Sequence, residues 1–473
     1  MGGKGVLPAM DRIEKDLLGE LAVPEHAYWG IHTERAIRNF PVSGRPVHPS
    51  LIEAMALVKK ACCLANADTG HLPGRKADAI AQACDEIAEG KMGDCFPVDA
   101  LQGGAGTSTN MNVNEVVANR AIEILGGKKG EYSTVHPLED VNLHQSTNDV
   151  YPTAVKVAGI NGLRRLSPAV AALQGAFQDK EKEFARIVKI GRTELQEAVP
   201  MTLGVEFSAF SEAVARDRWR TAKCEERLRV VNLGGTALGT GITAPRDYIF
   251  LVTEKLREIT GLGLSRGENI AGETANADAF VEVSGIMKTH AVNLIKISND
   301  LRLLNFIGEI GVPPLQAGSS IMPGKVNPVL LEAVIQAGIK VMGNDLVLTD
   351  VASRGTLQIN EFLPLLAHVF LESLDLLTNG DRLLAGHVAK IEANEARCRA
   401  FFDQSPMIVT ALLPVVGYGK ATAMLQEFRK ERGKTMRAFL EEKLGAALVE
   451  KVFSPYHLTA LGYRNDGDDT EGK

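Results

Sequence analysis

The chain has few aromatic residues, 5% of its 473, and no stretch of about 18 residues without charge, so nothing in it reads as a membrane-spanning helix. It has no Lys/Arg block, and its formal net charge is -6. That excludes a basic face for nucleic acid or an anionic membrane; small anions would need a local site. Its six cysteines, Cys62, Cys63, Cys84, Cys95, Cys224 and Cys398, lack the paired spacing of a metal site. They are too sparse for a secreted disulfide framework and read as buried or idle thiols. None of the ten histidines falls into a metal-ligand pattern. The segment Met1 to Asp16 lacks the apolar core of a signal peptide, so the chain is expected to be cytoplasmic.

What is present is a large stock of Leu, Val, Ile and Ala, with 45% hydrophobic residues overall. Length suggests roughly two to four domains. Between Ala277 and Phe306 the residues Phe280, Val283, Met287, Ala291, Leu294, Ile297, Leu301 and Leu304 recur at steps of three and four. That is one face of a long helix, and a period near 3.5 predicts packing against long, nearly parallel or antiparallel partners. Similar stretches run from Ile160 to Phe184, Leu203 to Val231, Val329 to Leu348 and Leu357 to Leu377. The expectation is a mainly α protein with a bundle seam that lacks aromatic anchors and also serves subunit packing. A polar tail from Asn465 to Lys473 reads as disordered.

Polar, glycine-rich loops separate these stretches: Gln102 to Asn112, His136 to Pro152, Gly191 to Pro200, Gly234 to Pro245 and Pro313 to Pro328. The last holds Gly318-Ser319-Ser320-Ile321-Met322-Pro323-Gly324-Lys325-Val326-Asn327-Pro328. Its glycines permit turns, while Ser319, Ser320, Lys325 and Asn327 offer donors to an anion. Asn327 is expected to cap a helix that begins at Pro328. Alone, this run also fits an ordinary connector. The run Gln102-Gly103-Gly104-Ala105-Gly106-Thr107-Ser108 resembles an anion nest, but it lacks the lysine of a phosphate-binding loop, and Thr109 replaces a dinucleotide fingerprint's third glycine. Gln145-Ser146-Thr147-Asn148-Asp149 and Gly191-Arg192-Thr193-Glu194 are further polar clusters, each compatible by itself with a turn or cap.

Together these motifs resemble those of the aspartase/fumarase superfamily over nearly the whole length, and the Gly318 to Pro328 run matches its signature. Val23-Pro24-Glu25-His26-Ala27-Tyr28-Trp29-Gly30, the runs at Gln102 and Gln145, Tyr151-Pro152-Thr153 and Val231-Asn232-Leu233-Gly234-Gly235-Thr236-Ala237 are most similar to the branch that eliminates ammonia from aspartate. Fumarases usually carry a second serine in place of Thr147. The resemblance implies three mainly helical domains, set at residues 1–145, 146–398 and 399–473. It also implies a homotetramer whose central domains form a long-helix bundle, with active sites shared between subunits and no metal or organic cofactor.

The resemblance assigns Ser319 as the base that removes the C3 proton. Thr107, Ser146, Thr147 and Ser320 would hold the β-carboxylate on which charge accumulates. Lys325, Asn327 and Thr193 would anchor the α-carboxylate, and Asn148 would help bind the amine. The loop Ala317 to Pro323 would close over substrate. Two departures stand out. Glu194 occupies a position where relatives usually have histidine or glutamine, and with Glu332 it would bring two carboxylates together, requiring a shared proton or a cation between them. A cation-binding role for Glu194 suits an ammonium substrate, whereas an ion pair with a local Arg or Lys would turn it away. The second departure lies after Leu304, where Asn305-Phe306-Ile307 replaces a longer Ser-Gly-Pro-Arg-containing segment. A shortened wall there would suit a bulkier amine, as in lyases that release trimethylamine from ergothioneine-type substrates. Hydration of fumarate and a catalytically silent scaffold are the remaining readings.

Overall fold

The computed structural model describes residues 11–463; the tail from Asn465 to Lys473 lies outside the described residues. The protein is mainly helical. Five long helices dominate: Thr147–Glu183, Leu203–Leu228, Asp278–Ile307, Val329–Ala352 and Leu363–Val388. All eight apolar positions of the predicted Ala277 to Phe306 stripe are buried. The described chain divides into two compact units. One contains the chain up to Ser167, Arg220–Thr289 and Lys340–Leu377; the other contains Pro168–Trp219, His290–Ile339 and the chain from Thr378 onward.

In the first unit the helix Thr147–Glu183 approaches the helix Leu363–Val388 closely because Gly159 and Gly162 carry no side chain. A Cβ at Gly159 would stand 2.7 Å from Phe370, and one at Gly162 would stand 2.7 Å from Leu374. The seam is not free of aromatics as expected, since Phe280 and Phe370 stack edge to face with centroids 5.5 Å apart. In the second unit Phe177, Phe184, Phe207 and Phe210 form a buried cluster. These six aromatics sit where long helices meet, whereas Trp219, Phe250 and Phe306 are exposed. Five cysteines are buried and Cys95 is half-buried; all are free.

Several boundaries differ from the periodic reading. Leu357 adopts φ 55, a left-handed conformation that cannot continue a helix. The helix expected from Leu357 begins instead at Leu363. Asn360 makes the break: its amide donates to Val351 O at 2.9 Å, and its Oδ1 accepts from Phe362 N at 2.9 Å. The expected loops at Gln102 and Gln145 are shorter than read, because helices start at Thr107 and Thr147. Among the described residues, four two-stranded sheets were invisible to the helical period. One of them, Val188–Thr193 with Gln196–Thr202, replaces the predicted loop at Gly191. Among the described residues no helix is long and apolar enough to cross a membrane.

Candidate active site

Two helix N-termini meet in the first unit. Gly104, Ala105 and Gly106 have successive positive φ values of 88, 55 and 96. Gly106 must lack a side chain because a Cβ would stand 2.4 Å from the Tyr151 ring. The turn sets Thr107 at the exposed start of the helix Thr107–Ile124, where its hydroxyl donates to Gly104 O at 2.7 Å. Binding a carboxylate there would require that hydroxyl to rotate. Gln102 Oε1 accepts from Thr109 N at 2.8 Å and holds the helix start.

Ser146 caps the second helix through a reciprocal box. Its Oγ accepts from Asn148 N at 3.2 Å, and its own N–H donates to Asp149 Oδ1 at 2.9 Å. The other Asp149 oxygen accepts from Gly234 N and Thr236 N, both at 3.1 Å, tying the glycine loop to the helix. Burial pushes the Asp149 carboxyl up to about 6 against the lowering effect of these N–H groups, so it is ionised at neutral pH. Asn148 Nδ2 donates to Ala237 O at 2.9 Å. Thr147 Oγ1 accepts from Asn110 Nδ2 at 3.1 Å, which joins the two helix starts.

Beneath them lies Lys59, fully buried, whose Nζ stands 2.8 Å from both Asn142 Oδ1 and Gln145 Oε1. Burial pulls its ammonium down to about 8, so it keeps its charge at neutral pH. Its two hydrogen-bond partners are neutral, and the Asp149 carboxylate acts on it as a counter-charge, so a cation stands behind the Thr147 cluster. Sequence reasoning missed Lys59. The available signal was its position four residues after Met55 and four before Cys63, on a buried face of Pro49–Asp68.

The second unit supplies the other candidates. Thr193 and Glu194 stand at the exposed end of the hairpin, where Glu194 and Leu195 form the two-residue turn with φ 52 and 62. Two left-handed residues match a type I′ turn, which ordinarily takes Asn-Gly. Glu194 has no ion pair among the described residues, so the alternative of a local Arg or Lys partner gains no support. Glu332 pairs with Arg302 at 3.7 Å.

The loop after Pro313 is exposed over most of its length, and Ser319 is half-buried. Ser319 Oγ accepts from Ile321 N at 3.1 Å and Met322 N at 2.9 Å. Gly318 N donates to Lys325 O at 2.7 Å, which closes the loop. A Cβ on Gly318 would stand 2.9 Å from that same oxygen, so the closure requires glycine. Pro323 and Gly324, with φ 82 at Gly324 and Lys325 N bonded to Met322 O, make the second turn. Asn327 does not cap the following helix as expected. Its Nδ2 donates to Gly318 O at 3.1 Å, fastening the ends of the loop. Ser320 and Lys325 are exposed. The short segment after Leu304 borders a groove of about 510 Å³ lined in part by Arg302, Phe306, Asn327 and Glu332. Among the described residues no cluster of three or more His, Cys, Asp or Glu could hold a metal ion.

Comparison with known proteins gives a consistent picture. A family model described as lyase matches residues 19–343. An aspartate ammonia-lyase of Pseudomonas aeruginosa is 47% identical over 96% of this chain and 98% of its own. One from Bacillus subtilis is 42% identical over 95% and 96%. A fumarate lyase:delta crystallin of Brucella melitensis, crystallised bound to cobalt, superposes with TM-score 0.91 at 45% identity, covering 96% of this chain and all of that one.

Proposed function

The chain belongs to this lyase family, and on that premise we propose that it eliminates ammonia from L-aspartate to give fumarate, with Ser319 taking the C3 proton. The observation that carries the reading is the pair of backbone N–H groups on Ser319 Oγ, inside a loop whose sequence and closure match the reaction's needs. A serine hydroxyl is a poor base, and donors that stabilise its alkoxide are what its use as a base requires.

Proton removal leaves a pair of electrons at C3, delocalised onto the adjacent β-carboxylate as a dianion. Thr107, Ser146, Thr147 and Ser320 donate to that group, with the charge of Lys59 behind them. The electrons then form the C2–C3 double bond as the C2–N bond breaks. Lys325, Asn327 and Thr193 hold the α-carboxylate, while Asn148 and Glu194 receive the amine. Glu332 already has its cation in Arg302 at 3.7 Å, and Glu194 has no ion pair among the described residues, which supports Glu194 as the carboxylate that meets the substrate ammonium.

Thr107, Thr193, Glu194, Ser320 and Lys325 are exposed in the single chain, and so are Leu303 and Phe306 on the helix Asp278–Ile307. Both features support a homotetramer with active sites completed by neighbouring copies; we further propose that it acts in the cytoplasm and carries the three-domain division at 1–145, 146–398 and 399–473. Purified protein given L-aspartate should produce fumarate, followed by its ultraviolet absorbance. A folded, inactive enzyme would reject the reading. The groove beside Asn327 favours one second reading, a lyase releasing a bulkier amine; it predicts no turnover of aspartate but amine release from another amino acid.

Glu194→Gln should raise the KM for aspartate about 10-fold and change kcat less, the scale of losing one charge-assisted hydrogen bond. Steady-state kinetics check this; unchanged constants would remove Glu194 from the leaving group.

A further inference from the structure

The hairpin that carries Thr193 and Glu194 is exposed at its tip, yet its base is anchored to one buried carboxylate. We propose that Glu309 is a positioning residue that fixes, through Arg192, where the Thr193–Glu194 tip stands and thereby how tightly substrate is held. The proposal rests on the aspartate reading given above for the identity of the substrate.

Glu309 reaches its place because the helix Asp278–Ile307 ends abruptly. Gly308 takes φ 82, its N–H donates to Asn305 O at 3.1 Å, and Glu309 N donates to Leu304 O at 3.0 Å. This is a Schellman ending. Glu309 O then accepts from Asn394 N at 2.9 Å, beside the short pairing of Ile310–Gly311 with Glu392–Ala393. The backbone is thus fixed on both sides, and the residue is fully buried.

A buried carboxylate is costly unless paired, and both partners here come from the hairpin. Arg192 Nη1 donates to Oε1 at 2.7 Å. Lys189 Nζ lies 2.7 Å from Oε2, a contact of charge without an aligned hydrogen bond, so Arg192 carries the directional link. Lys189 also pairs with Glu206. The Arg192 guanidinium rests 5.1 Å from the Phe401 ring centroid; that ring also takes Arg397, whose Nε donates to Ile307 O at 3.3 Å. Arg192 directly precedes Thr193 in the chain. Opposite Gly191 the second strand carries a bulge, and a Cβ at Gly191 would stand 2.9 Å from Val199 O. Bulges re-aim the chain beyond them. From Thr193 to Glu197 the chain is exposed, so the clamp at Arg192 and the bond from Ser405 Oγ to Glu197 Oε2 at 2.7 Å define the base from which the tip projects.

The test uses the full-length enzyme with Arg192→Met, Arg192→Lys and Glu309→Gln, each alone and with Glu194→Gln. Arg192→Met should raise the KM for L-aspartate roughly 10-fold or more, since small misplacements of binding groups are costly. Arg192→Lys should restore part of it. Added to Glu194→Gln, Arg192→Met should cost less than it does alone, because the part of its effect that runs through Glu194 is already lost and only the part through Thr193 remains. Hydrogen exchange of the Thr193 to Gln196 amides should quicken in Arg192→Met, a readout that needs no turnover. If Glu309→Gln does not fold, the two Arg192 variants decide. Unchanged KM and exchange with only a lower melting temperature, or independent multiplying losses, would overturn the proposal. Faster exchange in an enzyme whose wild type ignores aspartate would overturn only the substrate reading.

Discussion

Ser319→Ala lowers kcat for L-aspartate by at least roughly 100-fold, the scale of losing a positioned proton acceptor. The substitution removes one oxygen that accepts two N–H bonds on an open loop, so the melting temperature should hardly move. The loop's shape does not depend on that oxygen: the Gly318–Lys325 and Gly318–Asn327 bonds close it independently. A deficit confined to turnover therefore isolates chemistry from folding. Exchange of the C3 deuterium of labelled aspartate sharpens the result, since it reports proton removal even when the amine does not leave. Near-normal turnover and exchange in Ser319→Ala would transfer the base to another group.

The second large effect concerns stability. His290, buried in the second unit, stands 2.9 Å from Asp217 through Nδ1 and 2.9 Å from Asp381 through Nε2. Burial alone would depress the imidazolium, but Asp381 and Asp217 outweigh it and push the group up to about 10. The folded form therefore binds this proton more tightly than the unfolded chain does, whose histidine titrates near 6.5. The resulting stabilisation is complete below about 6.5, declines as pH rises, and is gone above about 10. Removing one partner with Asp381→Ala should cost about 3 to 5 kcal/mol, the cost of breaking a buried ion pair. Melting curves from pH 6 to 10 check both statements. A melting temperature in wild type as flat with pH as in His290→Asn would show that the imidazolium is not charged.

The long helices were legible because a repeating apolar face is local information. The stripe from Phe280 to Leu304 needed no knowledge of its partners, and every member is buried. Boundaries set by single side chains were not legible. Asn360 breaks the expected helix at Leu357 through bonds to carbonyls eight and nine residues earlier. Asn327 read as a cap because Asn before Pro favours one, yet its amide reaches back nine residues to Gly318. The candidate residues were readable as motifs, whereas their supports were not. Lys59 stands 83 residues before Asn142 and Arg192 stands 117 before Glu309, and no sequence window joins such pairs. Asp149 lies between: it was visible within its motif, but its hold on Gly234 and Thr236 needed three dimensions.

The turn at Glu194 and Leu195 sets two goals against each other. Residues with side chains at positive φ cost of order 1 kcal/mol each compared with glycine. Any drift of this tip toward Asn-Gly would make the protein harder to melt while deleting the carboxylate proposed to meet the ammonium. Under the proposed role of Glu194, selection for heat resistance alone would therefore erode substrate recognition at this corner, and a thermostable descendant should be screened for amine binding before its improved folding is taken as a gain.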